Sequence, residues 1–488
     1  MEQEQQISNL IYEFFYMRIH FEYYKCGDTL PSIDTLCRQF CVSPQTVKAA
    51  LRQLRAEGYI SMRNGRATRI IYRQTRQELI RFVLGFFSER RTAFPDLCRT
   101  AELISVPFFS EAFRRMEEND FLHLSRYIER AQSDDLLYFY SYVLQKLENP
   151  LAMNLFWEIS MFMGLMFIGE KGGDGFYNKK LLREGIEEII SYKNTQDLKS
   201  LHGAILKHQK ESMEEALRYV AQYVPLSGKQ KQTPFVWHIY RERPQLCYSL
   251  ATRILFGIYL GEYRETEYLP SYEKMAEKYN VSLSTIRRTV RILNQSGAAE
   301  SVNGVGTRVF SIGQRCNMPD FTIPAVRRNL AFFVQSYEII IYSCERAAVA
   351  TLLALTEKER GRLKEQLKKN VDEKRCGMTP WHLLLCISQS NPLNGIREIY
   401  SKIFGLFLWG YPLKGSQKET AKLDSELRIF TEKMLQYLEQ GDFVRCGRCM
   451  KETSTYQFHA SEQYLLSIGF EPDELRLSPS IRLVLPED

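Results

Sequence analysis

The chain has 488 residues, of which 44% are hydrophobic and 25% charged, and its formal net charge is +7. This balance is ordinary for globular domains with apolar cores, and the length accommodates about two to four domains. The polar start, MEQEQQ, does not resemble a secretory signal, and the most apolar run, residues 155–169, is too short to span a bilayer. Eleven cysteines without disulfide-framework spacing predict a reduced, cytoplasmic protein with no membrane partner.

Residues 30–72 are the first stretch of the chain with a clear local pattern. Ser32 is placed to cap a short helix, and Ser43, followed by Pro44, is placed to cap a second one. The second helix carries an apolar stripe with the spacing i, i+4 and i+7, formed by Val47, Leu51 and Leu54. Two short helices joined by a tight turn indicate a helix-turn-helix.

A β-hairpin is predicted directly after these helices. Strand-like residues 59–63 and 67–72 flank Asn64-Gly65, the dipeptide that type I′ turns prefer. Residues 42–72 contain six Lys or Arg against one Glu, a balance that suits a surface facing phosphates. The whole stretch therefore predicts a winged helix-turn-helix.

The same pattern occurs a second time, at a constant offset (281 − 42 = 239) and with no insertion or deletion. The LPS of residues 30–32 recurs at 269–271, and Asn303-Gly304 repeats the hairpin dipeptide. The apolar stripe of the second helix recurs as Ile286, Val290 and Leu293. This agreement predicts an internal, tandem duplication.

Both copies resemble the DNA-binding domain of GntR-family bacterial transcription regulators. The resemblance lies in LPS, VS-x-x-T-(V/I)-(K/R), L-x-x-x-G and N-G-x-x-T-R-(I/V), and it covers about 65 residues in each copy. The preceding helix fits as well, because residues 11–19 align with residues 250–258. The resemblance implies two winged helix-turn-helix domains that bind double-stranded DNA.

By this resemblance, the second helix of each copy faces the major groove and the hairpin forms a wing. The residues that this assigns to DNA are Ser32, Ser43, Gln45, Thr46, Lys48, Arg52, Gly65, Arg66 and Thr68 in the first copy, and Ser271, Ser282, Ser284, Thr285, Arg287, Arg288, Gly304, Gly306 and Thr307 in the second. Hydroxyls and amides bind phosphates or base edges, and Lys and Arg reach guanine O6 and N7. Many family members carry Arg where this chain has Pro44 and Leu283, so the usual operator of the family is not expected.

The remainder of the chain predicts two helical bundles, because apolar residues recur at helical spacing and strand signals are scarce. One such face comprises Leu79, Phe82, Val83 and Phe86, and another comprises Leu136, Phe139, Tyr140, Val143 and Leu147. The predicted fold class is mainly α with small β-wings. The predicted domains are a winged helix-turn-helix at 1–76, a helical effector-like domain at 77–232, a second winged helix-turn-helix at 233–314 and a second helical domain at 315–488, with a polar linker at 227–233.

The two helical regions also resemble each other. Ser160, Gly164, Leu165 and Gly169 recur as Ser401, Gly405, Leu406 and Gly410, at an offset of 401 − 160 = 241. More distantly, both regions resemble the FCD-type effector domain of one GntR subfamily. The FCD segment F-H-(x)8-N-P-L is matched by Trp381-His382 followed by Asn391-Pro392-Leu393.

The FCD resemblance implies a metal site made of an Asp one helical turn before this His and two later histidines. In this chain Met378 stands at the Asp position, and Tyr140 stands at the His position of the first copy. His382 and His202 are the remaining candidate ligands, and we expect no bound metal. Residues 446–449 form a C-x-x-C, but no second pair lies at zinc spacing.

These features predict a bacterial DNA-binding transcription regulator that is not an enzyme and has no cofactor. A small-molecule effector would bind in the helical domains. Two non-identical heads would read an imperfect inverted repeat, either as an intrachain pseudo-dimer or within a homodimer. In the alternative, the winged domains are degenerate and serve as interaction or dimerisation modules without specific DNA readout. A fused aminotransferase, found in other GntR relatives, is not expected, because the second winged motif occupies its place.

Overall fold

The computed structural model describes residues 7–40, 42–63, 65–130, 133–164, 179–192, 197–224, 231–239, 246–311, 317–416 and 420–476. The chain divides into two compact units, one built mainly on Gln5–Arg243 and the other on Pro244–Pro392 and Ile396–Ser478. Most described residues are helical, and the only strands among them form two small antiparallel sheets. The predicted fold class, mainly α with small β-wings, is therefore confirmed.

The first unit begins with a three-helix winged motif and continues with helices only. Its elements are α1 (Ile7–His20), α2 (Ile33–Phe40), α3 (Pro44–Ala56), β1 (Ile60–Ser61), β2 (Arg69–Ile70), α4 (Arg76–Arg90), α5 (Ala93–Arg114), α6 (Glu118–Arg130), α7 (Ser133–Gln145), α8 (Pro150–Met163), α9 (Lys179–Ser191) and α10 (Leu198–Tyr223). The helical faces predicted around Phe82 and Tyr140 lie in α4 and α7.

The second unit repeats this plan. Its elements are α11 (Leu246–Leu260), α12 (Tyr272–Tyr279), α13 (Leu283–Gln295), β3 (Ala299–Val302), β4 (Gly306–Val309), α14 (Pro324–Ala354), α15 (Glu357–Asp372), α16 (Thr379–Ser390), α17 (Asn394–Phe407), α18 (Tyr411–Ser416), α19 (Thr420–Gln440), α20 (Phe443–Ser467) and α21 (Pro472–Arg476). Short 3-10 turns lie at Cys376–Met378 and Leu408–Gly410. Among the described helices, none is both long and apolar enough to cross a membrane.

The predicted apolar stripes form the cores of the two winged motifs. All six stripe residues are fully buried, namely Val47, Leu51, Leu54, Ile286, Val290 and Leu293. In the first unit they lie beneath α1, where Leu10 and Ile11 are also buried. Removing these side chains from water supplies about 2 kcal/mol each, which holds the short helices against α1.

The helix starts follow the predicted caps. The Ser43 hydroxyl accepts a hydrogen bond from the Thr46 N–H at 3.3 Å, and Pro44 occupies the first position of α3. Ser32 accepts from the Thr35 N–H at 3.1 Å at the start of α2. Such caps satisfy backbone donors that have no partner within the helix.

The hairpins differ from the prediction in two respects. The first has only Ile60–Ser61 paired with Arg69–Ile70, which is shorter than the predicted strands. In the second, Val302 pairs with Gly306, so three residues form the loop instead of two. Only Gly304 has a positive φ there (+76°), and Asn303 does not, so the predicted type I′ turn is wrong for this hairpin. Asn64 lies outside the described residues.

The segment predicted as a linker is packed against the first unit where it is described. The Gln232 side chain donates to the Ser88 carbonyl at 2.9 Å, and the Thr233 N–H donates to the Glu89 carbonyl at 2.7 Å. Further on, Trp237 is fully buried and donates to Asn154 Oδ1 at 2.8 Å. Residues 233–239, which we assigned to the second winged domain, thus belong to the first unit.

The repeated small-residue segments of the two bundles do not share a local structure. Gly164 ends α8 in the left-handed region (φ +66°), whereas its predicted counterpart Gly405 lies inside α17. Gly410 makes a close approach, because a Cβ there would fall 2.2 Å from the Phe333 ring. Leu165, Gly169, the predicted loop at 172–175 and the tail from residue 477 onward lie outside the described residues.

Candidate nucleic-acid interface

The two winged motifs coincide element by element. Helix α12 has the bounds of α2 shifted by 239 residues (272 − 33 = 239), and α13 has those of α3 (283 − 44 = 239). An isolated bridge joins Thr29 to Arg69 in the first motif, and Tyr268 to Arg308 in the second. Each motif therefore presents its second helix and its wing on the same local scaffold, and we call the two scaffolds the first head and the second head.

In the first head, the predicted contact residues of α3 lie at its start and along its outer side. Ser43, Gln45 and Arg52 are exposed, and Thr46 and Lys48 are half-buried. The Ser43 hydroxyl is already engaged, since it caps the helix and lies 2.9 Å from Thr46 Oγ1. A DNA contact by Ser43 would have to share that hydroxyl with the cap.

The second head repeats this arrangement with different side chains. Ser282, Ser284, Arg287 and Arg288 are exposed, and Thr285 is half-buried. The Ser282 hydroxyl accepts from the Thr285 N–H at 3.2 Å, so it caps α13 as Ser43 caps α3. A DNA contact by Ser282 would likewise have to share this hydroxyl. Among the predicted contact residues outside the second helices, Ser32 and Ser271 cap α2 and α12 in the same way.

Both second helices carry three cations and no acid. The cations are Lys48, Arg52 and Arg55 on α3, and Arg287, Arg288 and Arg291 on α13. Within the part of the chain that the structure describes, none of these six forms an ion pair. Unpaired cations on one face create a positive potential that attracts phosphates, and forming a contact would not require breaking an existing pair.

The wings contain the remaining predicted residues. Gly65 (φ +72°) and Gly304 (φ +76°) adopt left-handed conformations at the loop tips, and Gly306 has a φ of +142° at the start of β4. Arg66 is exposed and Thr68 is half-buried. These positions are on the surface, where a nucleic acid could reach them.

Thr307 departs from the prediction. Its side chain is buried, and its hydroxyl lies 3.3 Å from Ser301 Oγ across the hairpin. Its backbone carbonyl accepts from the Leu269 N–H at 2.8 Å. Thr307 therefore stabilises the wing from within, and its side chain is not available for DNA.

Each head is packed directly on the helical bundle of its own unit. In the first unit, the Phe14 ring of α1 meets Trp157 of α8 edge-on with centroids 5.6 Å apart. In the second, the Phe256 ring of α11 meets Phe404 of α17 edge-on at 5.7 Å. The first helix of each winged motif thus belongs to two cores at once, one on the head side and one on the bundle side.

The histidines predicted as metal candidates have other partners. His202 Nδ1 lies 2.8 Å from Ser110 Oγ, and Asn370 Nδ2 lies 3.0 Å from His382 Nδ1. Burial lowers the pKa of His382 to about 4, with a further contribution from Arg375. Within the described residues, no group of three or more His, Cys, Asp or Glu side chains is arranged to hold a metal ion.

The C-x-x-C of α20 lies against α14. Burial raises the pKa of Cys446 to about 12 and that of Cys449 to about 11, so both remain thiols at neutral pH. Gly447 between them fits under the Glu345 carbonyl, since a Cβ would fall 2.4 Å from that oxygen. The motif is explained by helix packing.

Two buried polar pairs in the first unit were missed by the sequence analysis. The Tyr140 hydroxyl lies 2.8 Å from His208 Nε2, and burial lowers the pKa of His208 to about 4. Glu158 is also buried and accepts from His238 Nδ1 at 2.9 Å. The partners are separated by 68 and 80 residues, so no local spacing could have indicated them.

Comparison with known proteins identifies the winged domains. Residues 8–70 and 249–309 each match the family model described as bacterial regulatory proteins, gntR family. The chain therefore carries two GntR-family winged helix-turn-helix domains. No curated protein matches the chain.

Among solved structures, the chain is similar to a GntR protein of Streptococcus agalactiae, with 18% identity over 44% of this chain and 100% of that one, and a TM-score of 0.21. The E. coli protein McbR/YncC shows 16% identity over 45% and 99% of the two chains, with a TM-score of 0.25. Lar, described as controlling expression of the Listeria monocytogenes agr system, shows 15% identity over 46% and 99%, with a TM-score of 0.21. Scores of this size carry no argument about the whole chain.

Proposed function

We propose that this chain is a DNA-binding transcription regulator that carries two different reading heads on one polypeptide. The observation that supports this most directly is the repeated scaffold, which presents three unpaired cations on the second helix of each head. Regulators with a helix-turn-helix place that second helix in the major groove, and dimers use two heads on two half-sites. A bacterial regulator of this kind would act in the cytoplasm.

The heads are proposed to read an imperfect inverted repeat, because their reading residues differ. Gln45 of the first head corresponds to Ser284 of the second, and Lys48 corresponds to Arg287. Gln binds adenine with two hydrogen bonds, whereas Ser at the equivalent position does not discriminate between bases; Lys48 and Arg287 both suit guanine. A tandem duplication that supplies both heads would let a single chain act as a pseudo-dimer, with half-sites about one helical turn apart or a multiple of it.

The helical bundles are proposed to sense a small molecule. Among the described residues, Nδ1 of the buried His208 has no hydrogen-bond partner and packs against Gly185 of α9, where a Cβ would fall 2.1 Å from it, while Nε2 lies 2.8 Å from the Tyr140 hydroxyl. Buried polar atoms are nearly always satisfied, so a small polar group that moved α9 away from His208 would be favoured at this nitrogen. The Phe14–Trp157 contact joins that bundle to α1, and a ligand that favours one packing there would shift the position of the head.

A mobility-shift assay at two salt concentrations tests the proposed function. The full chain should select a preferred duplex from a random pool, and its affinity should fall steeply as salt rises from about 50 to 200 mM. Lys48→Ala and Arg287→Ala should each weaken binding by about 1–3 kcal/mol if the side chain reads a base. If the side chain contacts only a phosphate, the salt slope should fall by about one for all sequences.

Lys199→Ala, at an exposed position on α10, serves as the matched control and should leave binding unchanged. Unchanged binding in the Lys48→Ala/Arg287→Ala double variant would contradict the assignment of the two reading helices. A chain that binds no duplex at either salt concentration would favour the other class, in which the winged domains act as interaction modules.

A further inference from the structure

We propose that only the first head binds the DNA backbone electrostatically through its wing, by means of Arg63, Arg66 and Arg69, and that the second wing makes no ionic contact. The inference rests on the proposed function, since it concerns how the two heads share the binding of one duplex. The ionic contact between wing and phosphates, which weakens as salt rises, would then form at one half-site only. The operator complex would therefore be asymmetric in its backbone contacts as well as in its bases.

At the residues that the structure describes, the two wing tips share a turn hydrogen bond and a left-handed glycine, so their side chains can be compared by position. The Arg66 N–H donates to the Arg63 carbonyl at 3.1 Å, and at the offset of 239 the Val305 N–H donates to the Val302 carbonyl, also at 3.1 Å. The glycine at the third position of each turn is left-handed, with φ of +72° in the first and +76° in the second. Different side chains thus stand at corresponding positions of the two tips.

The first wing is strongly basic. Residues 59–72 contain three cations, Arg63, Arg66 and Arg69, and no acid. All three are exposed, and within the described residues none of them has an ion-pair partner. Exposed, unpaired guanidinium groups are the side chains best suited to phosphate oxygens, which they bind with two parallel hydrogen bonds.

The second wing has no net positive charge. The corresponding residues 298–311 contain one cation, Arg308, and one acid, Glu300. Arg308 is paired with Glu267 at 2.9 Å, so its charge is already matched. The two arginines of the first tip are replaced by Val302 and Val305, which are 39% and 64% exposed. Valine offers a phosphate neither charge nor hydrogen bond.

Of the two DNA-facing elements of each head, the wing differs in charge and the second helix does not. Helices α3 and α13 carry three cations each, so the reading helices supply equal charge. The net charge of the first wing is +3, whereas that of the second wing is zero, because Glu300 offsets Arg308. Electrostatic attraction therefore predicts phosphate contacts of similar number from the two second helices, but ionic contacts from the first wing only.

The first wing is tied at its base to α1 by aromatic side chains, whereas in the described part of the second head the base is held by the Tyr411 hydroxyl, which donates to the carbonyls of Ala298 at 3.4 Å and Phe310 at 3.2 Å. The Tyr59 and Tyr72 rings lie 5.1 Å apart, and the Tyr59 hydroxyl lies 3.2 Å from His20 Nε2 on α1. Positions 298 and 311 of the second head hold Ala and Ser. A base tied to α1 holds the arginine-bearing tip in one place, which favours a defined backbone contact.

The test gives the first wing the residues of the second. Binding of the full chain to a labelled duplex selected from a random pool is measured over a salt series for the wild type, Arg63→Val/Arg66→Val and the matched control Val302→Ser/Val305→Ser. Each lost phosphate contact lowers the salt slope by about 0.9, so the arginine variant should show a slope lower by about two. The valine control should keep the wild-type slope. Arg63→Gln/Arg66→Gln removes the same charge without adding apolar surface and should match the arginine variant.

Ethylation interference on the same duplex locates the contact. We expect interfering phosphates on the outer flank of one half-site only, and they should disappear in the Arg63→Val/Arg66→Val variant. An unchanged salt slope in both arginine variants, or interference on both flanks, would overturn the inference while leaving DNA binding intact. If the wild-type chain shows no salt-dependent binding to any duplex, the proposed function itself fails and the inference fails with it.

Discussion

At the residue scale, the serines that begin the reading helices have two roles that can be separated. Ser43 caps α3 through the Thr46 N–H, and Ser282 caps α13 through the Thr285 N–H. Both side chains are exposed on the proposed DNA-facing side. The cap determines how much each serine contributes to the stability of the fold, and the polarity of its hydroxyl determines how much it contributes to DNA affinity.

Substitutions at Ser43 should separate these roles. Ser43→Ala should destabilise the chain by about 1 kcal/mol, because the first turn of α3 loses its acceptor. Ser43→Asp should retain the wild-type melting temperature, since a carboxylate caps equally well, but should weaken DNA binding because it faces phosphates. Gln45→Ala, an exposed position in the same first turn of α3, is the control for stability. Undiminished DNA binding by Ser43→Asp would place this end of α3 away from the backbone.

The caps could be predicted from sequence because an N-cap involves only three or four neighbouring residues. The burial of Thr307 could not, because it depends on the partner strand, where Ser301 faces it across the hairpin. The three-residue loop after Val302 was also missed, since Asn-Gly indicates a tight turn without fixing its register. The Tyr140–His208 pair needed two helices to come together in three dimensions.

At the element scale, α1 connects the first head to its bundle. Glu13 on α1 is half-buried, and its pKa is raised to about 7, first by burial and then by the negative charge of Glu158; His238 and Arg90 oppose this shift. Between pH 4.5, the ordinary pKa of a glutamate side chain, and about pH 7, Glu13 is therefore protonated in the folded state but ionised in the unfolded state. Stability from this group is present below pH 4.5 and is lost as the pH rises through 7.

Glu13→Gln should remove this pH dependence. At pH 8 the variant should be more stable than the wild type by about 2 kcal/mol, because it avoids a buried charge next to Glu158, while at pH 4.5 the two should be alike. Thermal unfolding of both proteins across this range measures the difference. Glu118→Gln, an exposed carboxyl of the same unit, should follow the wild type. Parallel curves for the wild type and Glu13→Gln would show that Glu13 is ionised without penalty.

Helices could be predicted well from their apolar periodicity, as for α4 and α7, but the segment after α10 could not. Residues 227–233 are polar and were predicted to be a linker, yet Gln232 is bound to Ser88 and the segment continues to the buried Trp237. Local polarity indicates surface exposure, whereas the position of this segment is fixed by residues far away in sequence, such as Asn154, which accepts from Trp237 across 83 residues.

At the scale of the whole molecule, the chain carries two heads on one polypeptide. The family match at residues 8–70 and 249–309 establishes the two winged domains, and their shared offset of 239 supports a duplicated origin. The corresponding elements of the helical bundles are less alike, as Gly164 and Gly405 show. A pseudo-dimer requires only that the heads remain equivalent in scaffold, whereas the bundles are free to diverge.

Light scattering on the protein–operator complex tests directly whether one chain occupies both half-sites. The molar mass of the free chain and that of its complex with a selected duplex are measured in solution, and the footprint is mapped on both DNA strands. A single chain of 57.2 kDa per duplex, with unequal protection of the two half-sites, is the result that the account predicts. Two chains per duplex with a symmetric footprint would contradict it, because four heads would then be present and identical ones would occupy the two half-sites.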